Sequence, residues 1–276
     1  MARLAGVRCI VRTRNNLGYW VTPVHRWLGW LCNLWTDMIL TNCAACREAI
    51  IHDEGVSPRR VRVLENGVDL SRFPPLHPAR QSPNGSTVPA RVGIVANLRP
   101  IKNLDLFIRA AALVAPEFPH ATFHIAGTGE LGQELDSLAR ALGLEDRCVL
   151  HGPVADIPAF LAGLDVAVLC SRSEGMSNAL LEYMAAGKAI VATAVGANVQ
   201  LLKNNVNGLL VPVGDPVRLA GALRRLLRDP ALGRRLGTAA RQKVEQFYSR
   251  EAMVRRFEAF YRELIQTSRG ASCSTY

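Results

Sequence analysis

From residue 92 onward, short β-branched or aliphatic runs alternate with helix-length amphipathic stretches, and this alternation constrains the fold more than any other feature of the chain. The runs fall at 92–96, 122–126, 148–151, 166–170, 189–193 and 208–211. Helical patterns lie between them at 104–114, 131–142 and 177–186, and further helices run almost to the end. Strands joined by crossovers of this length lie parallel, because a tight hairpin cannot connect them and a helix can. The pattern predicts an α/β fold, a Rossmann-like doubly wound parallel sheet flanked by helices. Such sheets bind ligands at the carboxyl ends of their strands, so chemistry is expected in the loops that follow the strands.

The 276 residues, 49% of them apolar, suffice for one large or two ordinary domains. Residues 74–90 carry Pro74, Pro75, Pro78, Pro83, Pro89 and Gly85, a composition that forbids regular structure and marks a linker. Before it, residues 1–73 hold strand patterns at 7–11, 38–41 and 61–64 and helical ones at 27–35 and 44–52, only half of a doubly wound domain. Three strands leave the sheet edge beside 7–11 open. After the linker, 91–248 reads as a ligand-binding domain, 249–267 as a C-terminal helix and 268–276 as a tail.

The formal charge of +10 favours an anionic partner, whether nucleotide, phosphorylated lipid or acidic membrane face. Much of the excess lies in Arg224, Arg225, Arg228, Arg234, Arg235, Arg255 and Arg256, which read as solvated helix faces, and sparse aromatic interleaving argues against nucleic acid. The longest apolar stretches, 27–35 and 189–195, fall short of the ~20 residues that cross a bilayer. Arg8, Arg12 and Arg14 interrupt the apolar run a secretory signal needs, so a cytoplasmic protein is expected. Seven scattered cysteines suit reduced thiols. Cys43-Ala-Ala-Cys46 has no second pair at ligand spacing, so no metal is expected there.

The sharpest local signal runs from Ser171 to Glu182, a strand end turning through Glu174 and Gly175 into a helix that starts near Ser177. Free backbone N–H groups of Gly175, Met176, Ser177 and Asn178 at such a start make a seat for a diphosphate, and Ser177 can cap the helix. Glu182, farther along the helix, has a carboxylate able to accept both hydrogens of a ribose diol. Spacing alone leaves a plainer reading open, with Glu182 a surface residue and Glu174 a turn acid. A second strand end, Val95 to Asn103, brings Arg99 and Lys102 to where a diphosphate would lie, and cations there would neutralise charge on a leaving diphosphate. Gly127-Thr-Gly129-Glu-Leu-Gly132 matches Gly-x-Gly-x-x-Gly, but it follows the second strand of its domain and no acid ends the next one, which counts against a dinucleotide dehydrogenase.

Taken in order, residues 36–265 resemble the family 4 glycosyltransferases of GT-B fold: Glu174-x7-Glu182, the flanking Leu-Cys-Ser-Arg-Ser-Glu-Gly and Tyr-Met-Ala-Ala-Gly-Lys, the later Asn-Gly-Leu-Leu-Val-Pro, and the turn Asn66-Gly67-Val68-Asp69. The resemblance implies a retaining, metal-independent transferase whose donor is a nucleoside diphosphate sugar, with no other cofactor, and whose acceptor is a glycan, lipid or small molecule. It places Glu182 on the ribose, Glu174 on the donor sugar and Lys102 on the diphosphate. The family has an arginine where Asn97 stands, and Arg99 is the substitute two residues on. Gly127, Gly129, Gly152 and Val154 are expected to line the base and phosphate pocket. His151 borders it, as a packing histidine or a ring on which a base stacks. The 249–267 helix is expected to pack back on the first domain. The family has a complete first domain with a Gly-rich acceptor loop and a histidine facing the donor sugar, and both are expected to lie upstream of where this sequence begins. About 90–120 residues of an ordinary domain are expected to be missing, so the alternative is a catalytically incomplete nucleotide-sugar-binding fragment.

Trp27, Leu31, Leu34 and Trp35 share one face at helical spacing, beside Trp20, Trp30 and Arg26. This face is expected to pack into a core, with peripheral contact at the inner membrane face as the other reading.

Overall fold

The computed structural model describes residues 5–7, 9–19, 21–74 and 89–270, with side chains to 266. Trp20, Cys273 and most of the expected linker and tail lie outside the described residues. The first part alternates β1 (Val11–Thr13), α1 (Pro23–Asn33), β2 (Met38–Thr41), α2 (Ala44–Glu54) and β3 (Val61–Val63). The second runs β4 (Arg91–Val95), α3 (Leu104–Val114), β5 (Thr122–Ala126), α4 (Gly132–Ala141), β6 (Cys148–Gly152) and α5 (Ile157–Ala162). It continues through β7 (Val166–Leu169), α6 (Asn178–Ala185), β8 (Ala189–Thr193), α7 (Asn198–Leu201) and β9 (Leu209–Val211), then α8 (Pro216–Arg228), α9 (Pro230–Phe247) and α10 (Arg250–Gly270).

All strand pairs are parallel, and the six-stranded sheet has the order β6-β5-β4-β7-β8-β9. The chain winds outward from β4 in one direction and outward from β7 in the other, so β4 and β7 flank the switch point of a doubly wound sheet. The two-residue period of a strand sorts its side chains between the layers. Val166 and Val168 enter the core with Phe107, Leu135 and Leu223, while Ala167 and Leu169 enter the opposite one with Leu161, Leu180 and Val244. Aspartates stop and start the last helices: Asp215 caps α8 and Asp229 caps α9, each followed by a proline that needs no hydrogen-bond partner at a helix start.

The small sheet has the order β1-β2-β3. Ile39 packs on one face with Ile50, Val56 and Val61, while Leu40 and Leu64 pack on the other with Phe260 of α10. Glu54, at the end of α2, accepts from Arg12 and Arg14 of the β1 segment and from Asn33 of α1, 2.9 Å away, fastening these pieces together. The first strand forms at 11–13 and not 7–11, because residues 11–13 pair in register with Met38–Leu40.

One expectation fails. The aromatic face of α1 is not a core: Trp27 is 60% exposed, Leu34 58% and Trp35 57%, and Trp30 and Leu28 are also exposed. The only buried residue of α1 is polar, Asn33. Among the described residues no second layer covers the face that periodicity proposed.

Candidate active site

Lys102 lies in the loop after β4 and Glu174 in the loop after β7, so the two straddle the switch point. Lys102 Nζ donates to Glu174 Oε1 at 2.5 Å, and Ser171 Oγ donates to the same oxygen at 2.6 Å. An ammonium has three N–H donors, so two remain for other acceptors. Both loops are braced. Asn103, in the left-handed conformation at φ 56°, donates through Nδ2 to Cys170 O at 3.2 Å and accepts from Arg172 Nε at 2.8 Å. Arg172 N–H donates back to Ile101 O at 2.9 Å. Arg99 is exposed at the rim and its guanidinium makes no hydrogen bond or ion pair among the described residues.

Ser177 caps α6, its Oγ accepting from Leu180 N–H at 3.4 Å. Gly175, Met176 and Ser177 are buried, and Asn178 opens the helix at the surface. Glu182 is half-buried and its carboxylate has no hydrogen-bond partner among the described residues. Burial pushes its pKa above the usual carboxylate value, against a smaller opposing pull from Arg72. The fully buried Tyr183 hydroxyl accepts from Val95 N–H at 2.7 Å, which fixes α6 to the end of β4.

The glycines divide by cause. At Gly127, φ 140°, a Cβ would stand 1.9 Å from Ala96 O, and at Gly129 it would stand 2.5 Å from Leu98 O. Both residues let the loop after β5 press on the loop after β4, where Leu98 N–H donates to Thr128 O at 2.9 Å. Gly152 has open space around it and a φ of 67°, so conformation alone requires glycine there. Val154 is half-buried two residues on. His151 is exposed: its ring stands edge-on to Phe160 at 5.4 Å, and its Nε2 lies 2.9 Å from Nδ1 of buried His124. Partial desolvation of the ring and the nearby Arg91 lower its pKa.

Sequence reasoning missed four supports of this site. Gly196, φ 49°, lets the loop after β8 close on Glu174, where a Cβ would stand 1.7 Å from the Glu174 carbonyl oxygen. Tyr183 and Asn103 were read as motif neighbours, not as braces. Asn66, in the turn that the resemblance includes, reaches the site itself: its Nδ2 donates to Asn178 Oδ1 at 2.8 Å and to Met176 O at 3.3 Å. Gly67 is required by close approach, since a Cβ would stand 2.6 Å from Ser249 O. Among the described residues no three His, Cys, Asp or Glu side chains gather as a metal site, and no helix is long and apolar enough to cross a membrane.

Known proteins with similar sequences and folds were found in quantity. A galactosyltransferase of Escherichia coli, UDP-Gal:alpha-D-GlcNAc-diphosphoundecaprenol alpha-1,3-galactosyltransferase, is 30% identical over 84% of this chain and 63% of its own length. D-inositol 3-phosphate glycosyltransferase of Salinispora arenicola is 32% identical over 86% of this chain and 58% of its own length. The chain therefore spans less than two thirds of either relative. The crystal structure of HepE from Anabaena, in complex with UDP and glucose, superposes with a TM-score of 0.84 at 23% identity, covering 94% of this chain and 73% of that one. The C-terminal domain of a Francisella tularensis group 1 glycosyl transferase superposes with a TM-score of 0.60 at 27% identity, with 67% of this chain matching all of it. The architecture is thus of the GT-B type, with the six-stranded sheet as its Rossmann-like unit. With the sequence profile described as "Glycosyl transferases group 1" matching residues 89–229, the chain belongs to that family of glycosyltransferases.

Proposed function

We propose that this chain binds a nucleoside diphosphate sugar at the switch point between β4 and β7, for transfer of the sugar, with retention and without a metal, to a carbohydrate or lipid-linked acceptor. The observation that carries the reading is the Lys102–Glu174 pair across that point, beside the capped start of α6. In this reading the diphosphate lies against the α6 amides and takes up the free donors of Lys102 Nζ, with Arg99 closing over it from the rim. Positive groups there favour the leaving diphosphate, the part of the transfer in which charge develops. The second oxygen of Glu174 addresses the sugar, and Glu182 holds the ribose diol. Gly127, Gly129, Gly152 and Val154 shape the wall on which the base rests. Retention rests on the family resemblance, and absence of a metal requirement on the cations that do the same work.

Calorimetry with UDP- and GDP-linked sugars and their bare nucleosides tests the site. The intact chain should prefer the diphosphate, and Lys102→Ala should narrow that preference. Equal losses for diphosphate and nucleoside would refute the phosphate role. A chelator should leave binding unchanged. Donor turnover measured beside binding separates a transferase from a protein that only binds the donor. The exposed Trp27, Trp30 and Trp35 surface supports peripheral contact with a membrane, tested by co-sedimentation with anionic vesicles.

A further inference from the structure

The helix α1 is amphipathic in the opposite sense to a helix that serves a core. Gly29 and Asn33, one turn apart, face the protein: a Cβ at Gly29 would stand 3.7 Å from Arg12 and 3.9 Å from Glu54, and Asn33 Nδ2 donates to Glu54 at 2.9 Å. Val24, Trp27, Leu28, Trp30, Leu34 and Trp35 are all exposed, and by the helical repeat they occupy the arc opposite Gly29 and Asn33. All four tryptophans of the chain fall between residues 20 and 35. A ring with an apolar body and one N–H donor suits the boundary between hydrocarbon and water. The charge matches an anionic surface, since residues 1–36 contain no Asp or Glu. Arg26 is exposed on α1, and exposed Arg59 adjoins Arg60, which donates to Asn33 O at 2.6 Å at the far end of the helix.

The helix is also tied to the donor site. The loop after β1 abuts the Glu174–Gly175 turn, where a Cβ on Gly175 would stand 2.4 Å from Asn15 O. Leu17 packs on the cluster that holds Met176 and Leu180, and the chain from there to Pro23 spans at most about 20 Å. We propose that α1 is an interfacial anchor that seats the protein on an anionic bilayer, its aromatic face in the acyl boundary and Arg26 and Arg59 on lipid phosphates. A helix of this kind lies in the plane of the surface with its apolar face about 5–10 Å deep. Through the short loop it holds the Glu174–Gly175 turn near the head groups, where a lipid-borne acceptor projects. That orientation rests on the donor site proposed above, and the docking does not.

The test uses the full chain, whose tryptophan emission reports on residues 20–35 alone. With vesicles of phosphatidylglycerol and phosphatidylcholine, the emission should move to shorter wavelength and be quenched when the acyl chains carry bromine. Phosphatidylcholine alone should bind about 25-fold more weakly, about fivefold for each of the two arginines, and Arg26→Gln should lose about fivefold. Val24→Asp with Leu28→Asp keeps every tryptophan; it should abolish the quenching while melting temperature and UDP or GDP affinity stay unchanged. Vesicles should also slow hydrogen exchange across residues 14–35. Emission indifferent to vesicles would overturn the proposal. So would a vesicle-free shift that grows with protein concentration, the mark of a second copy on this face, or slowed exchange confined to the Arg-rich α8 and α9. Docking without UDP or GDP binding would refute the donor site and leave the anchor standing.

Discussion

Gly196→Ala is the substitution most able to separate a built site from an incidental cluster. The added Cβ would stand 1.7 Å from the Glu174 carbonyl oxygen, where contacts under 3.0 Å are essentially never seen, so the two segments must part by 3.0 − 1.7 = 1.3 Å. Gly196 also sits at φ 49°, where a residue with a Cβ costs about 1–2 kcal/mol. At about 2–4 °C per kcal/mol for a unit of this size, the melting temperature should fall by about 2–8 °C. A displacement of 1.3 Å exceeds the tolerance of the 2.5 and 2.6 Å bonds that Lys102 and Ser171 make to Glu174. If Glu174 addresses the sugar through a charged hydrogen bond worth about 1.5–3 kcal/mol, affinity for the nucleotide sugar should drop about 10- to 150-fold. Affinity for the bare nucleoside diphosphate should change less. Gly221→Ala is the control: it lies inside α8 with open space around it, and should stabilise by about 1 kcal/mol without touching binding. Calorimetry and thermal melting read both effects. A Gly196→Ala chain with unchanged melting and unchanged nucleotide-sugar affinity would refute the argument from the close approach.

Three further outcomes follow from the same geometry. Burial raises the Glu182 pKa, so the folded state favours the protonated form and stability is lost as pH rises through that pKa; Glu182→Gln should therefore stabilise the fold at neutral pH while weakening nucleoside diphosphate binding by about 1.5–3 kcal/mol, measured by melting and calorimetry. His151 has a lowered pKa, so the folded state favours the neutral ring and stability should fall as pH drops below its unfolded value of about 6.5. His151→Gln should flatten the melting profile between pH 7.5 and 5.5. Buried Arg241 donates to Ala185 O at 2.6 Å, Pro74 O at 2.9 Å and Phe73 O at 3.2 Å, so Arg241→Met should leave three carbonyls short of a donor and destabilise by about 2–4 kcal/mol in urea unfolding.

The parallel sheet was legible because its strands are buried on both faces and read as continuous apolar runs, as in Ala189–Thr193, where every residue is buried. The crossovers at 104–114 and 131–142 were legible from their spacing. Two short helices, Ile157–Ala162 and Asn198–Leu201, were not, since one turn or so carries too little periodicity to register. At the site, the Lys102 and Glu174 loops announced themselves by charge after apolar strands. Their direct pairing did not, because it depends on β4 and β7 being neighbours, and 70 residues of chain separate Val95 from Val166 by nothing more than topology. Gly196 and Tyr183 escaped for the same reason: each acts on a segment distant in sequence.

The exposed face of α1 shows where periodicity stops being informative. An apolar stripe records that a surface is unsuited to water, and its spacing records that the surface is helical. Neither says which layer covers it. In the large sheet the question answers itself, because helices on both faces set their apolar sides on six strands. Among the described residues the small sheet has three strands, of which β1 is an edge strand with no neighbour on one side. Its one face is filled by Ile50 of α2 and its other by Phe260 of α10, which leaves no strand surface for Trp27, Trp30 and Trp35. The aromatic face and the open edge are thus one feature seen twice: a layer that has more apolar helix surface than sheet to set it on. Whatever meets that surface must offer apolar contact, and a bilayer and a strand added to the open edge make opposite demands of β1. A bilayer leaves the outward-facing Val11 and Thr13 amides exchanging with solvent, whereas an added strand protects them. Hydrogen exchange at Val11 and Thr13, with and without anionic vesicles, therefore tests the edge: protection without vesicles shows an added strand there, and free exchange under both conditions rules one out.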